Sequence, residues 1–163
     1  MASSEGAFPT AFDPLSFFET PTLGSGVILD FTGRLVRRCI IETSSEASPE
    51  FGSLHFDERY LYDDGTADDA MHWAVSWSGD RFEAHEPSVV GEVKSRLEGC
   101  RWRVVFQRLS PAALTYDATF LQVQPDTVLK LVKIKRLGLT LARLSGFHRH
   151  VDSRPASRRM EFG

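Results

Sequence analysis

The scarcities in this sequence narrow its class first. It carries only two cysteines, Cys39 and Cys100, in 163 residues. A small secreted domain held by disulfides carries more, at regular spacing, so both are read as reduced thiols buried in strand-like runs. No apolar stretch approaches the roughly 18 to 20 residues that a membrane-spanning helix needs. The opening Met1-Ala2-Ser3-Ser4-Glu5-Gly6 has no basic start leading into an apolar run, so no secretion signal is read and a cytoplasmic location is expected. Basic excess is missing as well: 19 Lys and Arg stand against 22 Asp and Glu, for a formal charge of −3. That argues against a nucleic-acid partner.

Chemical signatures are equally sparse. There is no Gly-x-Ser-x-Gly nucleophile elbow, and Gly24-Ser25-Gly26 opens a strand, not the helix a phosphate loop requires. The five histidines are scattered. Only His148-Arg149-His150 has close spacing, so neither a metal site nor a cofactor is expected. Amphipathic stretches of period 3.6 do not occur between the strand-like segments, which excludes parallel βαβ units.

What is present is ordinary globular composition, 42% hydrophobic and 25% charged, with enough chain for one core. Residues 1–11 read as a flexible tail. Asp13-Pro14-Leu15-Ser16-Phe17-Phe18-Glu19 predicts a short helix, because Asp caps a helix start and Pro fits its first position. Beyond Pro21 the period becomes two. Strands are predicted near 23–31, 34–43, 52–62, 68–78, 81–85, 89–97, 101–108, 113–124, 127–136 and 139–149. Turn signals such as Asp63-Asp64-Gly65 and Ser78-Gly79-Asp80 separate them. Sequential short strands joined by tight turns point to an all-β, up-and-down antiparallel barrel of about eight to ten strands, because closure removes exposed edges. The N-terminal helix would close one end. A two-sheet sandwich is the alternative. Residues 150–163, with Arg154, Arg158 and Arg159, read as a basic flexible tail.

Several of these segments resemble a lipocalin-like family of unknown function, found mostly in bacterial lipoproteins. Phe12 to Glu19 is similar to its opening motif, and Gly24 and Gly26 fit the glycines that follow. Asp57-Glu58-Arg59-Tyr60-Leu61-Tyr62-Asp63-Asp64-Gly65 resembles its hairpin motif. Trp73, Val89-Val90-Gly91 and Trp102 to Phe106 follow at similar spacing, and Lys130 to Arg149 resembles its last two strands. The resemblance spans residues 12–149 and implies a calycin-type barrel without implying an activity. Three departures stand out. A lipid-attachment cysteine near the start is missing. Asp117-Ala118-Thr119-Phe120 replaces a Trp-containing run, and Lys130 stands where the family has Asn. Altered strand positions of this kind imply a different pocket.

Three residues are candidates for acid–base chemistry. Glu58 shares parity with Leu54, Phe56, Tyr60 and Tyr62. A carboxylate facing an apolar interior needs a partner or a raised pKa, so Glu58 is read as paired with Arg37 or Arg38, as a ligand contact, or as a general acid or base. Lys130 alternates with Val128, Val132 and Ile134. Facing inward it would meet Glu58, hold a ligand carboxylate or form a Schiff base; facing outward it is solvated. Asp117 is either a carboxylate partner for Glu58 or a strand residue with its own hydrogen bonds. Phe56, Tyr60, Tyr62, Trp73, Trp77, Trp102 and Phe106 form an aromatic set that lines a pocket or fills a core.

The function expected from these residues is binding of a small, largely apolar molecule inside the barrel. The alternative is a cofactor-independent isomerase or cyclase acting on a hydrophobic substrate, with one of those polar residues moving a proton. Neither reading needs membrane insertion, and the oligomeric state stays open.

Overall fold

A computed structural model describes residues 8–45, 52–68, 70–109 and 112–151. One helix, α1 (Pro14–Phe18), precedes ten strands: β1 (Thr22–Asp30), β2 (Leu35–Ser45), β3 (Ser53–Tyr62), β4 (Met71–Ser78), β5 (Arg81–His85), β6 (Val90–Glu98), β7 (Arg101–Arg108), β8 (Leu114–Gln124), β9 (Thr127–Arg136) and β10 (Leu139–His150). The sheet order is β5-β4-β3-β2-β1-β10-β9-β8-β7-β6, with antiparallel pairing between all sequential neighbours except β5 and β6. The first and last strands therefore close the ring, and a seam runs between β5 and β6. The result is the expected all-β, nearly closed up-and-down barrel. Predicted tail residues 1–7 and 152–163 lie outside the described residues, and His150 belongs to the barrel because it ends β10.

The turns follow local chemistry. The Asp30 carboxylate accepts from Thr32 N at 2.8 Å, from Thr32 Oγ1 at 2.6 Å and from Arg34 N at 3.0 Å, closing the β1–β2 link over Gly33 at φ 86°. Asp64 does the same for Thr66 in the β3–β4 link. The β9–β10 hairpin is less well matched. Leu137 adopts φ 50° beside Gly138 at 79°, the left-handed geometry a two-residue hairpin demands and a branched side chain resists.

Asp13 caps α1, its carboxylate accepting from Leu15 N at 3.1 Å and Ser16 N at 3.4 Å. The helix is only one turn long, so packing holds it more than propensity does. Phe17 and Phe18 are buried with Phe12. Phe18 enters the barrel and stacks on Phe56, with centroids 4.6 Å apart and planes 6° off parallel. Burial of an aromatic ring of this size contributes about 1.5–3 kcal/mol.

Ring closure constrains the inward face of β1. Its inward positions run Thr22, Gly24, Gly26, Ile28. A Cβ on Gly24 would sit 1.7 Å from the Phe147 carbonyl oxygen of β10. Gly26 faces Gly146 in register, and Ile41 Cδ1 lies 2.9 Å from where a Gly146 Cβ would be. Missing side chains thus let the terminal strands approach closely, and Ile41 fills the space they leave. Gly24→Ala should destabilise the barrel by at least about 2 kcal/mol. The urea midpoint should fall at unchanged slope; an unmoved midpoint would show that the two strands do not approach this closely.

Candidate functional site

The interior divides into two halves. At the α1 end it is packed solid. Trp102 stacks on Phe120 at 4.8 Å, meets Phe82 edge-on at 5.4 Å and donates from Nε1 to Ser95 Oγ at 2.9 Å. At the other end the same inward rows stop short of filling the ring and leave a cavity of about 110 Å³. Its walls include Trp73, Val104, Phe106, Tyr116, Ile134 and Leu144, with Tyr62, Asp68 and Arg108 also lining it. Phe106 stacks on Tyr116 at 5.1 Å and 9°, and Trp73 meets Phe106 edge-on at 5.3 Å.

Glu58, Tyr60 and Lys130 line the same cavity as a polar cluster. Alternation along β3 turns Glu58 and Tyr60 inward, and alternation along β9 does the same for Lys130. Glu58 is 1% exposed and Lys130 5%. Lys130 Nζ donates to both carboxylate oxygens at 2.7 Å and to the Tyr60 hydroxyl. Its three protons are therefore all engaged. It also lies 5.0 Å from the centroids of both the Tyr60 and Phe120 rings, where the ring faces favour a cation.

Behind this pair lies His148, fully buried. Its Nδ1 is 3.1 Å from Thr22 Oγ1, which is 2.6 Å from Thr43 Oγ1; the direction of the protons in this chain depends on the histidine tautomer. His148 Nε2 lies 3.4 Å from Glu58 Oε2 but has no hydrogen bond. The contact is electrostatic and not directional.

Burial alone would raise the Glu58 pKa. The Lys130 ammonium, helped by His148, outweighs burial and holds the carboxyl well below the usual carboxylate range. For His148 burial wins over the attraction of Glu58, and its pKa falls below the ordinary 6.5. Burial, reinforced by the Glu58 charge, pushes the Tyr60 hydroxyl well above its ordinary value. At neutral pH Glu58 is a carboxylate, Tyr60 a phenol and His148 a neutral imidazole. Among the described residues no group of three or more His, Cys, Asp or Glu converges to hold a metal ion.

Of the residues singled out in the sequence, Glu58, Lys130, Tyr60, Tyr62, Trp73 and Phe106 come together at the cavity. Four do not. Asp117 faces outward, because Ala118 and Phe120 take the inward positions of β8; there it accepts from Arg103 at 2.9 and 2.8 Å and from Lys135 at 3.4 Å. It therefore cannot pair with Glu58. Phe56 and Trp102 are inward but sit in the packed half, since α1 fills that end. Trp77 has inward parity, yet it lies at the end of β4, 46% exposed against Phe82 in an outer groove at the β5–β6 seam. Arg37 and Arg38 do not reach Glu58 either: Arg37, over the Tyr62 ring, pairs with Asp64 at 3.4 Å, and Arg38 pairs with Asp63 at 3.0 Å on the outside.

Sequence reasoning missed His148, Thr22, Tyr116 and Arg108. Parity carried a signal for two of them, as Arg108 continues the row Trp102, Val104, Phe106 and His148 continues Leu144 and Gly146. For Thr22 no signal existed, because its partners come from other strands.

Removing one partner of the buried pair should be costly. Glu58→Gln or Lys130→Met should each lower unfolding free energy by about 3–5 kcal/mol, since each strands a buried group. The double variant should recover much of that loss. A double-mutant cycle by urea unfolding checks it, and additive losses would show that the two groups are not coupled. The pH dependence has one sign for both shifted groups. A depressed His148 pKa means the unfolded chain takes up protons first, so stability should begin to fall below about pH 6.5. The depressed Glu58 pKa adds a second loss below its ordinary 4.5. His148→Gln should flatten the melting temperature between pH 7 and 5 and leave the steeper acid limb; an unchanged profile would remove His148 from this account.

No helix among the described residues is long and apolar enough to cross a membrane. No curated protein matches the chain. The sequence profile of the family described as "Protein of unknown function (DUF3833)" matches residues 5–149, and the chain belongs to that family.

Proposed function

We propose that this barrel binds a small, largely apolar molecule in the cavity formed by Trp73, Val104, Phe106, Tyr116, Ile134 and Leu144. The observation that carries the reading is the composition of that space: an apolar wall with one buried, internally neutralised polar cluster. Ligand sites combine the same two ingredients, apolar area for affinity and a few fixed polar groups for orientation. At about 110 Å³ the space holds at most a single small ring or a short chain, since it is smaller than the roughly 150 Å³ engineered cavity that takes up benzene. Tyr60 and Glu58 offer a hydrogen-bond donor and acceptor to a hydroxyl or carbonyl on the ligand.

The isomerase or cyclase alternative needs a group that exchanges a proton near neutral pH. Glu58, held far into its ionised range, is a weak base, and Tyr60, held far into its protonated range, is a weak acid. A Schiff base on Lys130 would require removing the charge that Glu58 is buried against. These protonation states favour binding over proton transfer.

The test is a titration of the labelled full chain with neutral probes, phenol and 3-phenylpropanol, followed by NMR. Saturable shifts are expected at Tyr60, Trp73 and Phe106. Ala118 lines the cavity, and Ala118→Leu should weaken binding about tenfold or more by filling the space while the fold persists. If neither probe shifts cavity resonances, or if Ala118→Leu leaves the affinity unchanged, the cavity is not the binding site.

A further inference from the structure

Arg108 is the charged group whose position the cavity walls do not explain. It follows Phe106 on the inward row of β7, half-buried, and lines the cavity. Arg37, Arg38, Arg96, Arg101 and Arg103 all pair with carboxylates. Among the described residues Arg108 has no such partner. Arg34, Arg59, Arg81, Arg136 and Arg143 also form no ion pair, but they are exposed on the outside. Half-buried Arg149 forms none either, but it donates to Thr127 Oγ1 at 3.2 Å and lies over the Phe147 ring. A guanidinium turned toward an apolar cavity gives up part of its hydration, and among the described residues no carboxylate pairs with it in return.

We propose that Arg108 forms a carboxylate subsite and that the ligand is a small aryl or short-chain monocarboxylate. This rests on the reading of the cavity as a ligand site and adds the chemical class. Arg108 lies two residues beyond Phe106, about 7 Å along the strand. A carboxylate held at its guanidinium, two or three bonds from a ring, places that ring against the Phe106–Tyr116 stack and the edge of Trp73. Guanidinium suits a carboxylate because its parallel N–H groups match the two oxygens.

The charges around the site select a monoanion. Asp68 also lines the cavity, where it accepts the Tyr62 hydroxyl. Arg37, over the Tyr62 ring at 4.5 Å, is committed to Asp64. The Lys130 ammonium is spent on Glu58 and Tyr60. One unpaired cation facing one nearby acid does not compensate a phosphate dianion. A fatty chain many carbons long exceeds the enclosed volume.

Calorimetric titration of the full chain with 3-phenylpropionate and with 3-phenylpropanol, at pH 7 and low salt, tests this. The two probes share an apolar body and differ in charge. The wild-type chain should bind the carboxylate about tenfold more tightly than the alcohol, as a charge-assisted hydrogen bond at a partly exposed site provides. In Arg108→Gln the ratio should fall to about one. Equal affinity for both probes in the wild-type chain, or a preference that survives Arg108→Gln, overturns the carboxylate subsite and leaves the cavity reading standing. Failure of both probes to bind overturns the cavity reading along with it.

Discussion

A lysine ammonium inside a barrel must be neutralised there, because removing a charge from water costs more than the surrounding apolar contacts return. Lys130 meets this requirement with Glu58, 72 positions earlier in the chain and on the far side of the β1–β10 closure. The pair reaches across the interior from β9 to β3. It therefore constrains two strands that never touch through their backbones. A slip of one residue in either would turn its charge outward and leave the other buried alone. Tyr60 is drawn in by the same ammonium, and His148 sits neutral beside the carboxylate because burial, with a smaller push from the Lys130 charge, outweighs the attraction of Glu58.

That cluster stands between two kinds of interior. Toward α1, Phe18, Phe56, Trp102 and Phe120 fill the ring with aromatic contacts, and the helix contributes side chains the strands lack. Away from α1 no such plug is present among the described residues, and the same inward alternation leaves space. The functional reading depends on this asymmetry. A barrel packed at both ends would bind nothing inside; one open at both would have no floor on which to place a polar cluster. The family is one of unknown function, and what favours binding is the cavity and its charges alone.

Much of the fold was legible because strand and turn signals are local. Each predicted strand corresponds to an observed one with ends shifted by a few residues at most, and Asp13-Pro14 marks the start of α1 as its capping chemistry requires. The face shared by Glu58, Tyr60 and Tyr62 could be read from spacing, as could that of Lys130 with Val132 and Ile134. Asp117 shows where this ends. Thr119, Leu121 and Val123 make a plausible inner row, but Ala118 and Phe120 occupy the inside and leave Asp117 to Arg103 and Lys135. Trp77 shows a second limit, since correct parity says nothing about how far along the barrel a side chain lies.

By itself the sequence determined the elements, their antiparallel succession and the two faces of each strand, because backbone propensity, turn chemistry and a period of two act between near neighbours. Only the tertiary structure decided which face of each strand is inside, which aromatic residues are core and which are wall, and that Glu58 meets Lys130 and not Arg37 or Arg38. Alternation is symmetric between its two faces. Ring closure through the glycines of β1 and β10, and the docking of α1 into one end, break that symmetry through contacts between residues far apart in the chain.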